Sequence, residues 1–223
     1  MVSKDMKILG VVFDLDGTLI DSTTAILDAL FSAADHYNIK TSITKNESYL
    51  FMGKSLMETL KIMMPDADVE ILHKVGKRYV EQYYEFCVKD AKLFPGVEGT
   101  IMALHKKGIQ LAVATAKHSD CAEAELQAAG VAKYFKSIRG TDIGVTPKPN
   151  PEMLLSICKS FELKPENVIM VGDTDRDVLF GRNAGCHTCV VSHGNWPKER
   201  FIKENIIPDF FLNEFEDLLG HIF

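Results

Sequence analysis

Ile8-Leu9-Gly10-Val11-Val12-Phe13-Asp14-Leu15-Asp16-Gly17-Thr18-Leu19 is an apolar run that breaks into an acidic turn. Ile8 to Phe13 is too short for a signal-peptide core and reads as a buried strand. Two carboxylates one residue apart can turn toward a common cation once the chain bends, and Gly17 permits the bend. A hard cation with oxygen ligands would keep Asp14 ionised and available as a nucleophile. The same residues also suit a plain β-turn. Their neighbours decide between the two readings.

Outward from this segment, apolar runs alternate with helical patterns. That alternation predicts an α/β fold, a Rossmann-like core built on a parallel sheet. The expected strands are Ile8–Phe13, Ile109–Thr115, Ser137–Arg139, Val168–Val171 and Thr188–Val191, with Phe210–Leu212 as a sixth. Gly96–Lys107 follows Pro95 and stops at Gly108, as expected of a helix entered through Pro and ended by Gly. Ser119 is expected to cap a helix that stops at Gly130, and Asn150 to cap Pro151–Phe161. Asp175–Asn183 carries acidic residues in its first turn, where they complement the helix dipole.

From Ser22 to Lys92 the alternation stops. Asp28–Tyr37, Glu47–Met63 and Val69–Val88 show apolar residues at three- and four-residue spacing, and no buried strand intervenes. This is far more chain than one crossover between parallel strands requires. The expectation is an all-helical cap subdomain at 22–92 inserted into a core of 1–21 and 93–223. Its hinges would lie near Ile20–Thr23 and Lys89–Gly96.

Three further clusters stand, with the opening one, at the C-terminal ends of expected strands, where ligands bind in open α/β sheets. Ala114-Thr115-Ala116-Lys117 offers a hydroxyl and main-chain N–H groups to a phosphoryl oxygen. In Thr146-Pro147-Lys148-Pro149-Asn150-Pro151, flanking prolines stiffen the segment that carries Lys148, a fixed charge suited to a phosphate and a nucleophilic carboxylate. Gly172-Asp173-Thr174-Asp175-Arg176-Asp177 places three acidic residues where one cap would suffice. A divalent cation would relieve their repulsion, with Asp173 as ligand and Asp177 in support. Each cluster alone also fits a solvated loop or an ordinary helix start. Together they supply what phosphoryl transfer needs, positioning and charge neutralisation.

The formal charge of −6 gives no support for nucleic-acid or anionic-membrane binding. No apolar run reaches the ~20 residues of a membrane span. Five scattered cysteines fit free thiols in a reducing, cytoplasmic setting. Cys186-His187-Thr188-Cys189 has the spacing of a redox or zinc pair, but no second pair accompanies it, and its strand context favours a structural role.

The ordered set closely resembles the haloacid dehalogenase superfamily, and within it the phosphoglycolate phosphatase-like enzymes with a helical cap. Phe13-Asp14-Leu15-Asp16-Gly17-Thr18-Leu19 resembles the first motif, Thr115 the second, Lys148 the third and Gly172–Asp177 the fourth. Leu93-Phe94-Pro95-Gly96-Val97 resembles the return from cap to core. The resemblance implies that Asp14 attacks phosphorus and becomes an aspartyl phosphate, while Asp16 serves as general acid and then general base. It implies Mg²⁺ held by Asp14, the Asp16 carbonyl and Asp173, with Asp177 supporting, and a phosphoryl group held by Thr115 and Lys148. Gly17, Thr18, Ala116, Lys117 and Lys54 complete the candidate substrate contacts. Ala116 stands where the family often has Asn, so one polar contact is lost or supplied by Lys117 or backbone.

Asp16 separates this chain from the dehalogenating and phosphonate-cleaving branches, which lack an acid there. Met52-Gly53-Lys54 resembles the cap segment of phosphonate hydrolases only faintly, because the lysine spacing differs. The expected activity is hydrolysis of a small phosphate monoester, phosphoglycolate-like or a sugar phosphate, by a monomer or homodimer. Sugar phosphomutase and pyrophosphatase are the alternatives within the superfamily, and a non-catalytic Mg²⁺- or phosphate-binding module is the alternative outside it. Ser55 and His193-Gly194-Asn195-Trp196 are further possible contacts, although a lone Trp after a strand more often packs.

Overall fold

The computed structural model describes residues 7–50, 54–89, 91–142 and 144–223. Met1 to Met6, Met52-Gly53 of the cap comparison and Asp90 of the second expected hinge lie outside them. Six strands form one parallel sheet in the order β3-β2-β1-β4-β5-β6. They are β1 (Gly10–Phe13), β2 (Gln110–Ala114), β3 (Ser137–Arg139), β4 (Val168–Gly172), β5 (His187–Val191) and β6 (Phe210–Leu212). Each matches an expected strand to within two residues at either end.

β1 is central, with Gly10 to Phe13 in register with Gln110 to Val113 on one side and Val168 to Val171 on the other. Side chains alternate across the sheet. Val11 and Phe13 join the cluster formed with α4 (Val97–Lys106), α5 (Ser119–Ala128) and α9 (Asp217–Ile222). Val12 joins the opposite cluster with α6 (Glu152–Phe161) and α7 (Asp175–Ala184). Both faces are therefore covered, which explains why β1 is apolar throughout. Fully burying a side chain such as Phe13 contributes about 1.5–3 kcal/mol.

The chain runs outward from β1 to β2 and β3, then returns to the far side of β1 as β4. This reversal opens a crevice at the carboxyl ends of β1 and β4, the usual ligand position of such sheets.

Between β1 and β2 lie α1 (Thr23–His36), α2 (Leu56–Met63) and α3 (Val69–Tyr83). They enclose an apolar cluster of their own, including Leu27, Leu30, Leu60, Met63, Leu72 and Val75. The entering and leaving segments run side by side, with the Asp21 N–H donating to the Lys92 carbonyl at 2.9 Å and the Phe94 N–H to the Leu19 carbonyl at 3.0 Å.

Helix boundaries differ from expectation in several places. The first helix starts at Thr23, five residues ahead of the expected Asp28, and α6 starts at Glu152 with Pro151 as its N-cap, while the Asn150 side chain accepts the Glu152 N–H at 3.0 Å. The pattern over Glu47–Met63 divides into a 3₁₀ stretch at Lys45–Leu50 and α2, which starts only at Leu56 because Ser55 and Glu58 close a capping box. The pattern over Val69–Val88 is α-helical as far as Tyr83 and then widens into a π turn at Tyr84–Val88. Ser119 lies inside α5 instead of capping it. Its N–H and hydroxyl donate to the two Asp142 carboxylate oxygens at 2.9 and 2.7 Å, so Asp142 satisfies the helix start. The first-turn pairing of Thr174 with Asp177 at α7 is also a capping box, and it becomes part of the site below.

Candidate active site

β1 ends at Phe13, and the Asp14 N–H donates to the Val171 carbonyl of β4 at 2.8 Å. This bond fixes Asp14 at the reversal point of the sheet. Gly17 then turns the chain at φ +80°, where a Cβ would meet the Asp173 carboxylate at 2.4 Å. Asp173 is the first residue beyond β4. The two acidic motifs meet because their strands are neighbours.

Three carboxylate oxygens, one each from Asp14, Asp173 and Asp177, lie within 4.8 Å of one another, and all three residues are buried. Lys148 enters from the loop before α6, and its Nζ donates to Asp14 Oδ1 and Asp177 Oδ1, each at 2.7 Å. Asp177 Oδ2 accepts the N–H groups of Asp173 and Thr174 and the Thr174 hydroxyl at 2.9–3.2 Å. Asp177 is thus occupied on both oxygens, and orients Lys148 and the loop after β4. Asp173 Oδ2 accepts the Asn195 N–H at 2.7 Å and its side-chain amide at 2.6 Å, and Oδ1 has a long 3.4 Å bond from Thr18.

One ammonium does not balance three buried carboxylates. Burial pushes the Asp14 carboxyl up to about 7 against the opposing pull of Lys148. Burial and the nearby Asp177 and Asp14 raise Asp173 in the same way. Lys148 is raised, its own burial outweighed by Asp14 and Asp177. An all-oxygen set with surplus negative charge fits a hard divalent cation, with Asp14 Oδ2 and Asp173 Oδ1, whose only hydrogen bond among the described residues is the long one from Thr18, as the least engaged carboxylate oxygens.

Asp16 belongs to a second network. Its Oδ1 accepts from the Ser22 hydroxyl and from Lys117 Nζ, the latter at 2.6 Å. Lys117 Nζ also donates to Glu125 Oε2 at 2.7 Å and sits 5.0 Å from the Tyr83 ring centroid. Glu125 is fully buried, and burial lifts its carboxyl to about 7 against the charge of Lys117. The Tyr83 hydroxyl approaches Glu125 without forming an aligned hydrogen bond. Lys117 is raised because Asp16 and Glu125 outweigh its burial.

A cavity of about 340 Å³ lies above both networks. Asp14, Asp16, Thr115, Ala116 and Lys117 line it from the core, and Lys54 and Ser55 from the helical insertion. Gly17 and Thr18 do not line it and instead pack against Asp173. Of the segment beyond β5, Asn195 reaches the acidic cluster. His193 stacks on Phe94 at 4.0 Å, and Trp196 packs with Phe201. Cys186 lies beside Cys158, Sγ to Sγ 3.9 Å, and Cys189 is buried apart from it.

Five residues are unmarked as participants in the sequence: Ser22, Glu125, Tyr83, and Arg176 with its partner Glu58. Arg176 donates to Glu58 Oε1 at 2.8 Å and to the Lys148 carbonyl at 3.0 Å, tying the helical insertion to the lysine loop. Burial raises Glu58, but hydrogen bonds from Ser55 and Arg176 prevail and hold it at about 2.

The sequence model of the haloacid dehalogenase-like hydrolases matches residues 11–191. The chain is 31% identical to a pyrophosphatase PpaX of Bacillus mycoides, covering 96% of each protein. It is 32% identical to a phosphoglycolate phosphatase of Salmonella typhimurium, covering 98% of this chain and 94% of that one. A solved structure described as a predicted phosphoglycolate phosphatase from Haemophilus somnus superposes with a TM-score of 0.85 over 96% of this chain and 97% of that one. At 24% identity it speaks for the fold alone. Family members generally use a divalent metal, in keeping with the buried aspartate cluster. With the family match spanning both acidic motifs, the second strand and the lysine loop, the chain belongs to the haloacid dehalogenase-like hydrolases.

Proposed function

We propose that the chain hydrolyses a small phosphate monoester with Mg²⁺, through an aspartyl phosphate on Asp14. The observation that carries this reading is the placement of Asp14, which lines the cavity while its Oδ1 is held by Lys148 at 2.7 Å. Asp14 attacks phosphorus, and the bond from phosphorus to the ester oxygen breaks. Asp16 gives its proton to the departing alkoxide. Asp16 then takes a proton from the water that attacks the aspartyl phosphate, and inorganic phosphate leaves. Both hydrogen bonds to Asp16 fall on Oδ1, which leaves Oδ2 for proton transfer.

Thr115 and Lys148 hold the transferring phosphoryl group, and Lys148 offsets charge as it develops. Asp14, the Asp16 carbonyl and Asp173 are the groups that would hold Mg²⁺, with Asp177 in support. When bound, the ion supplies neutralisation of phosphate charge and keeps Asp14 ionised. Residues 22–92 act as a cap over 1–21 and 93–223, with Lys54 as a contact to the substrate and closure excluding water.

Asp14→Asn tests the reading. It is isosteric, and it should bring turnover of phenyl phosphate down to background with an unchanged circular dichroism spectrum. Retained turnover in the folded variant would refute the nucleophile assignment.

A further inference from the structure

The cavity has two unlike halves. Its floor carries Asp14, Asp16 and Thr115, the groups already assigned to phosphoryl transfer, with Lys117 beside them. The wall from the helical insertion is built largely from Ile26 and Leu30 of α1, Leu56 and Met57 of α2, and Tyr79 and Val80 of α3. Val80 is 52% exposed although it lines this space, and Leu56 and Met57 are only half-buried. Leaving apolar surface open to a water-filled cleft is unfavourable, and a ligand that covers it recovers that free energy. On the core side, Ala116 continues the apolar lining.

The cations around the cavity are largely committed. Lys117 is held between Asp16 and Glu125. The His118 ring faces Asp142 at 3.4 Å and Asp120 at 3.9 Å. Among the described residues lining the cavity, only Lys54 is a cation to which no carboxylate partner is assigned. A leaving group bearing its own carboxylate or second phosphoryl group would meet Asp14 and Asp16 on the floor and a single lysine on the wall. The volume argues in the same direction. A cavity of about 340 Å³ has room for an alcohol body beside the phosphoryl group.

We infer that the natural leaving group is an uncharged alcohol with an aliphatic or aromatic body, received by Leu56, Met57 and Val80, with the buried Ile26, Leu30 and Tyr79 behind them. This deepens the reading of Asp14 as nucleophile and rests on it. The carbon–oxygen bond of the ester stays intact. Phosphorus passes to Asp14, and the alcohol departs with the proton from Asp16.

The test uses the full chain with Mg²⁺ and a series of primary alkyl esters, which share their leaving-group chemistry: ethyl, butyl and hexyl phosphate, set against phosphoglycolate and pyrophosphate. Each added methylene should raise kcat/KM about fourfold. Hexyl phosphate should exceed phosphoglycolate and pyrophosphate at least about tenfold. Val80→Asn at its half-exposed position, and Met57→Thr as an independent second variant, should each flatten the slope of the series. Calorimetry on Asp14→Asn should show hexyl phosphate binding more tightly than ethyl phosphate, a readout independent of turnover. A flat or falling series, or a preference for phosphoglycolate or pyrophosphate, overturns this inference and leaves the phosphatase reading intact. Absence of turnover of every ester by the wild type overturns both.

Discussion

Metal binding and proton binding compete for the same buried carboxylates, which makes the thermal stability of this protein depend jointly on pH and Mg²⁺. Asp14 rises from 3.8 to about 7 on folding without metal. The folded state therefore holds a proton that the unfolded chain releases. That contribution to stability is fully present below 3.8 and is lost as pH rises through about 7. A shift of about three units bounds it near 4 kcal/mol. Asp173 and Glu125 are also raised and act with the same sign. His193 is lowered by burial and acts oppositely, as a single partly buried group against three carboxyls. The metal-free protein should therefore melt at a lower temperature at pH 8 than at pH 5.

Mg²⁺ opposes this trend. At a concentration 100 times its dissociation constant at pH 8, it stabilises by about 2.7 kcal/mol, or roughly 5–11 °C for a chain of this size. At pH 5 all but about 1% of Asp14 is protonated, which weakens binding about 100-fold. The same Mg²⁺ then contributes only about 0.4 kcal/mol, near 1 °C. Melting curves with EDTA or MgCl₂ at matched ionic strength measure both effects, and Asp173→Asn should abolish the Mg²⁺ shift. Equal Mg²⁺ shifts at the two pH values, or a metal-free midpoint that rises from pH 5 to pH 8, would refute the argument.

Two further variants probe the residues around Asp14. Lys148→Met leaves Asp14 and Asp177 buried without their shared cation and should cost about 3–5 kcal/mol at pH 8. Roughly 6–20 °C of midpoint would be lost, and less at pH 5, where Asp14 takes up a proton; a loss independent of pH counts against the charge argument. Asp16→Asn should slow turnover of ethyl phosphate by about 10²–10⁴-fold and that of nitrophenyl phosphate much less, because a nitrophenolate leaves without a proton. Equal slowing of both esters would remove Asp16 from the role of general acid.

The sheet was legible in the sequence because its strands are covered on both faces. Val11-Val12-Phe13 and Val168-Ile169-Met170-Val171 are uninterrupted apolar runs bounded by turn residues. The acidic cluster was legible for a related reason. Asp14 and Asp173 leave β1 and β4 beside Gly17 and Gly172, and Lys148 stands between two prolines in the loop before α6; local chemistry announces such turns. Helix starts were less legible. The apolar spacing of Glu47–Met63 continues through a region where Ser55 and Glu58 terminate the preceding turn and begin α2. Periodicity registers the face of a helix and not its first residue.

The network under Asp16 shows where a sequence stops speaking. Glu125 stands at i+3 from Ala122 and next to Leu126 in α5, on the face that helical spacing gives to the core, but its charge alone would assign it to solvent. It is instead fully buried, because the helical insertion brings Tyr83 over that face and Lys117 reaches it from the loop after β2. A carboxylate in such a place is tolerable only with its cation, and Lys117 is already bonded to Asp16. Neither Glu125 nor Lys117 would look unusual without the other. Their meaning depends on the packing of the insertion against the core, which brings Tyr83 and Asp16 to a lysine and a carboxylate from a different part of the chain. The position of Asp16 therefore follows from how the insertion seats on the core, and not from the acidic turn in which Asp16 is written.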